Sequence, residues 1–149
     1  MELTRIKELI DDNDTSVNEI AKLVDRDHST ISGWIHNYND PRIEQLNIIA
    51  NYFNVSLDYL LGLTNIRQYD DNSKEINNEI LTFRLNELRE SSKLTREQFA
   101  NQLGIARTTW VEYEQGHNII RAAFLYQLSK NYKISIDYLL GKRKNKSMG

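Results

Sequence analysis

The sequence predicts an all-α fold of two tandem five-helix units, and three observations carry that prediction. The segment Ser56-Leu57-Asp58-Tyr59-Leu60-Leu61-Gly62 returns as Ser135-Ile136-Asp137-Tyr138-Leu139-Leu140-Gly141, offset by 79 positions. Apolar residues fall at the i, i+3, i+4 spacing of one-sided helices through both halves. A single proline and almost no alternating β-branched runs argue against sheet. Held without a gap, the same offset aligns Arg5 with Arg84, Glu8 with Glu87, Leu9 with Leu88, Ala21 with Ala100, Thr30 with Thr109 and Arg42 with Arg121. A fixed period of this kind marks one structural unit used twice.

Each helix has its own signal. In the first unit Leu3, Ile6, Leu9 and Ile10 form one apolar stripe. Ser16 with Glu19 makes a capping box that opens a second helix carrying Ile20, Ala21 and Val24. Asp25-Arg26-Asp27 interrupts the pattern, and a third helix holds Ile31, Trp34 and Ile35. Pro41 leads into a fourth with Leu46, Ile49, Ala50 and Phe53, and Ser56 caps a short fifth that stops before Gly62. The second unit repeats this, with Thr95 and Gln98 as its capping box and Gly104 at the break. Residues 1–63 and 79–142 are thus the expected units, joined by a polar linker over 64–78. The helix opening the second unit is expected to begin near Lys74, and residues 143–149 are expected to form a disordered basic tail.

The chain of 149 residues is 40% apolar and 27% charged, which suits a soluble globular protein. No apolar run approaches the roughly 18 residues of a membrane span. The opening MELTRIKELIDDND lacks the unbroken apolar block of a signal peptide, and there is no cysteine, so the cytoplasm is the expected compartment. The net charge of −2 hides an asymmetry. Residues 1–70 hold 6 Lys+Arg against 12 Asp+Glu, giving −6, whereas residues 71–149 hold 13 against 9, giving +4. Phosphate binding is driven by counterion release and needs a basic face, which the second half offers more readily.

The break between the second and third helices needs a residue that tolerates positive φ, followed by an apolar plug. Gly104-Ile105 supplies both. The run Thr95-Arg96-Glu97-Gln98-Phe99-Ala100-Asn101-Gln102-Leu103-Gly104-Ile105-Ala106-Arg107-Thr108-Thr109-Trp110-Val111-Glu112-Tyr113-Glu114-Gln115-Gly116 resembles the Cro/repressor (XRE) type of helix-turn-helix. Ile20-Ala21, Ser29-Thr30-Ile31-Ser32 and the segment from Phe53 to Gly62 fit the same pattern. The resemblance implies lambda-repressor-like domains that place the third helix in a DNA major groove. It implies base contacts from His28, Ser29, Ser32 and Gly33 in the first unit. In the second they fall to Arg107, Thr108, Val111 and Glu112, with Gln115 further out. It also implies phosphate contacts from Ser16, Thr95, Asn39, Arg42, Asn118 and Arg121. Arg107 has the chemistry for bidentate pairing with guanine.

The first unit departs from that pattern. Asp25 stands at the turn glycine and Arg26 at the apolar plug, where a buried charge is costly. Two readings therefore stand. One is a sequence-specific repressor of phage or mobile-element type binding double-stranded DNA, alone or as a homodimer. The other is an inhibitor or antirepressor that turns the same fold against a basic protein target. The three histidines lack zinc-ligand spacing, Asp11-Asp12-Asn13-Asp14 lacks the rest of a calcium loop, and no catalytic grouping or cofactor motif emerges, so no enzymatic role is expected.

Overall fold

The computed structural model describes every residue except Glu2 and Gly149. Among the described residues there are ten helices and no strands: α1 (Thr4–Asp12), α2 (Val17–Leu23), α3 (His28–Ile35), α4 (Ile43–Tyr52), α5 (Leu57–Leu60), α6 (Asn78–Ser91), α7 (Arg96–Leu103), α8 (Arg107–Gln115), α9 (Ala122–Tyr132) and α10 (Ile136–Leu139). The apolar stripes read from the sequence line one continuous core, with Ile6, Leu9, Ile20, Ile31 and Leu46 in the first repeat and Phe99, Trp110, Leu125 and Leu128 in the second. Each such buried side chain is worth about 1.5–3 kcal/mol relative to exposure.

Helix starts follow their capping residues. Ser16, Asp27, Ser56, Thr95 and Ser135 each accept the backbone N–H three residues on. The Thr95–Gln98 box is reciprocal, whereas Ser16 caps α2 alone and Glu19 turns toward Lys22, 3.8 Å away. The early start near Lys74 does not occur. The Lys74 carbonyl accepts from the side chains of Asn47 and Asn51 (3.0 and 2.9 Å), while Asn77 caps α6 through the Ile80 N–H.

The backbone repeats more faithfully than the sequence. Left-handed residues occur in pairs at the 79-residue offset: Asp14 and Lys93, Asp25 and Gly104, Asn37 and Gly116, Asn54 and Lys133, Gly62 and Gly141. Aspartate and asparagine tolerate this region better than most residues, so the turns survive without glycine. Arg5 and Arg84 also play one part. Each donates from Nη1 to the carbonyl of a tyrosine, Tyr59 or Tyr138, and lies over that tyrosine's ring, tying the first helix of its repeat to the last.

The two repeats meet through α5 and α10. The Asp137 carboxylate accepts the N–H groups of Leu57 and Asp58 (3.1 and 2.8 Å). In return the Asp58 carboxylate accepts the N–H of Ile136 at 2.7 Å and the Ser135 hydroxyl. Each aspartate therefore satisfies the first amides of the other repeat's helix, and both are fully buried. The Tyr69 hydroxyl donates to Asp58 at 2.8 Å, and the buried Lys142 ammonium stands 3.7 Å from Asp137 while donating to Asn47 at 2.6 Å. The C-terminal residues are thus not the free basic tail the sequence suggests. Lys142 and Arg143 are buried, Arg143 lies over the Tyr69 ring, and the Lys146 carbonyl accepts the Ser135 N–H at 2.9 Å. Lys142 and Arg143 read as solvated until Asp137 and Asp71 are seen beside them.

Burial and the neighbouring Asp137 push the Asp58 carboxyl up to about 7. A carboxyl whose folded value is raised stabilises most fully below its unfolded value, and that contribution is lost as pH rises through about 7. Thermal melts between pH 4 and 8 are expected to show this decline from about pH 4 to about 7 and a level course above, and Asp58→Asn is expected to flatten it. Asp137→Ala strands the Leu57 and Asp58 amides and is expected to cost about 2–4 kcal/mol by denaturant titration.

Candidate nucleic-acid interface

The turns before α3 and α8 share one geometry. In the second repeat Gly104 adopts φ +69° and the Ile105 N–H closes on the Ala100 carbonyl at 3.1 Å. In the first, Asp25 adopts φ +56° and the Arg26 N–H closes on Ala21 at 2.8 Å. Aspartate thus does the work of glycine. Arg26 at the plug position escapes the cost of burial: its side chain is exposed and bends back to the Asp25 carbonyl. Val24 instead supplies buried apolar contact at this turn.

The exposed face of α8 is open in the second repeat. Arg107 is the first residue of α8, it is exposed, and among the described residues no hydrogen bond or ion pair engages its guanidinium. Thr108 and Gln115 are exposed and Val111 is half-buried beside them. Ala106 precedes the helix and has no side-chain acceptor, so the first amides of α8 are free to meet an anion. Arg107 lines a groove with Lys93, Thr95, Arg96 and Glu97. Sequence reasoning misses Lys93 and Arg96, whose one signal is their position just before and at the start of the second helix. Glu112 does not project freely, because the Asn118 amide holds its carboxylate at 2.6 Å.

The first repeat differs at equivalent positions. Asp27 caps α3, accepting from the Thr30 N–H (2.9 Å), the Thr30 hydroxyl (2.7 Å) and the Ser29 hydroxyl (3.0 Å). Hydrogen bonds from Thr30 and Ser29 hold its carboxyl below the usual range, so a fixed negative charge occupies the helix start that lies open in α8. His28 is exposed, and Ser32 is half-buried with its hydroxyl 3.4 Å from His36 Nδ1. Gly33 cannot read a base. It is buried under Asn39, whose amide nitrogen would lie 2.4 Å from any added Cβ. Asn39 fills the space above Gly33 and Asn118 engages Glu112, and both asparagines are exposed.

Of the residues expected at phosphates, Ser16 and Thr95 cap α2 and α7, and Arg42 is exposed at the start of α4. Arg121 is exposed and reaches across the repeats to Asp40 at 2.6 Å. The acidic excess of the first half is divided: Asp25 and Asp27 flank α3, Asp40 is paired, Asp58 is buried, and Glu8, Asp11, Asp12 and Asp14 lie along α1 and the turn after it.

Behind α8, Glu114 binds Arg89, Arg96 (2.7 Å) and the Trp110 indole N–H (2.8 Å), locking α8 to α6 and α7. Burial opposes its ionisation, but these donors outweigh burial and hold the carboxyl below its usual range. Among the described residues no His/Cys/Asp/Glu cluster could hold a metal, and no helix is long and apolar enough to cross a membrane.

Comparison with known proteins agrees with this geometry. Residues 6–60 match a family model described as helix-turn-helix, and residues 83–143 match a second, described as helix-turn-helix domain. The chain therefore carries two helix-turn-helix domains. It is 40% identical over 58 residues to a Bacillus subtilis (strain 168) protein described as the uncharacterized HTH-type transcriptional regulator YobD, across 39% of this chain and 52% of that relative. The chain thus spans about half the length of that relative. No solved structure matches it.

Because Arg26 is exposed, Arg26→Val is expected to change stability by no more than about 0.5 kcal/mol, measured by denaturant titration. Glu114→Ala leaves buried Arg89 without its partner and is expected to cost about 3–5 kcal/mol in the same measurement.

Proposed function

We propose that this chain is a sequence-specific DNA-binding transcriptional regulator of the Cro/repressor (XRE) type, acting as a repressor of phage or mobile-element kind. In this reading residues 1–63 and 79–142 are lambda-repressor-like domains that lay α3 and α8 in the major groove, which admits one helix. The activity is binding without a catalytic step, and it is exerted in the cytoplasm. Arg107 carries the reading. An exposed, unpaired guanidinium at the uncapped start of a rigidly held helix is suited to a guanine edge. Lys93 and the open amides nearby suit the phosphates on either side. The description of the Bacillus subtilis relative as a transcriptional regulator supports the same assignment.

A second reading is favoured by one observation: the carboxylates of Asp25 and Asp27 lie exposed where α3 would approach DNA. Such a face complements a basic protein surface, and an inhibitor of another DNA-binding protein would use it.

Selection of duplexes from a random library, at low and at near-physiological salt, separates the two. Enrichment of a motif at the higher salt is expected. Binding that vanishes with salt favours the protein target. Arg107→Ala is expected to relax preference at one base pair by about 1–3 kcal/mol. Unchanged preference removes Arg107 as a reader.

A further inference from the structure

We infer that a single copy of this chain reads an inverted repeat of two dissimilar half-sites, doing alone what a homodimer would otherwise do. The inference rests on the DNA-reading proposal and adds the symmetry and stoichiometry of the target.

Two contacts carry it. At α5 and α10, Asp137 caps the helix that carries Asp58, and Asp58 caps the helix that carries Asp137. These residues are equivalents at the 79-residue offset, so the interface is isologous: each surface meets its own counterpart. A second self-pairing lies between the connections that follow the third helices. Asp40 meets Arg121 at 2.6 Å, and residues 40–44 and 117–121 face each other across one groove. Two repeats related by translation would press α5 against some unlike element of the second repeat. Pairing like with like at two separate places instead defines an approximate two-fold axis through both. Since α3 and α8 run directly into the paired connections, they flank that axis as rotated copies.

Duplex DNA has the same two-fold symmetry in its backbone, so rotated heads meet inverted half-sites. The heads themselves are unlike. His28, Ser29 and Ser32 stand on α3 where Arg107, Thr108 and Val111 stand on α8. The two half-sites must therefore differ, and the chain binds in one direction only. The linkage is rigid, because Tyr69, Lys74 and Ser73 of the connecting segment bond to Asp58, Asn47 and the Lys142 carbonyl. The second head is thus held in place once the first has bound.

The test takes the sites enriched by selection and measures the mass of the complex and the effect of Arg107→Ala on each half-site. One chain per duplex is expected, on inverted half-sites about one helical turn apart. Arg107→Ala is expected to relax one half-site by about tenfold or more and leave the other unchanged. Two chains per site, with both halves relaxed equally, overturns the inference while leaving DNA reading intact. A direct repeat overturns it in the same way. Absence of any enriched motif overturns the DNA reading beneath it.

Discussion

Two buried aspartates, each closing the start of a helix that belongs to the other repeat, hold this molecule in its arrangement. Helices of four residues such as α5 and α10 have more unpaired amides than internal hydrogen bonds. In a dry interface each unpaired amide would cost about 1–3 kcal/mol. Asp58 and Asp137 remove that cost reciprocally, so neither repeat can shift without exposing amides in both. Two like charges in one interior would ordinarily repel. Lys142 beside Asp137 and the raised affinity of Asp58 for a proton keep the pair tolerable.

Much of the fold was legible because periodicity and capping are local. The helix order, the starts of α3 and α8, and the burial of Trp34 and Trp110 all follow from spacing and from Ser, Thr, Asp and Gly at the boundaries. The common role of Arg5 and Arg84 was visible as identity at the offset. What escaped was set by distant contacts. Gly33 reads as a base-facing position until Asn39 is seen to close over it. The pairing of Arg121 with Asp40, 81 residues away, has no local signal at all. The clearest missed signal was an aspartate kept twice among Leu57, Tyr59, Leu60 and Leu61 and their equivalents, since a charge in so apolar a segment needs a buried partner.

The repeats also solve one packing problem in two chemistries. Around Glu114 the second repeat places Arg89, Arg96 and Trp110 in a charged network. At the same four positions the first repeat has Ile35, Ile10, Val17 and Ile31. Replacing a buried ion cluster by well-packed apolar groups is often neutral or stabilising. The ionic version fixes the orientation of α8 through directed bonds to α6 and α7. The apolar version is paired with α3, whose start is sealed by its own carboxylate.

The reach of Asp137 back to Leu57, 80 residues earlier in the chain, has a consequence for synthesis. At about 5–20 residues per second the ribosome takes roughly 4–16 s to cover that distance. Throughout this interval the nascent first repeat has every residue of its own core yet lacks the acceptor for the start of its last helix. That helix start stays open until Asp137 emerges to accept its amides.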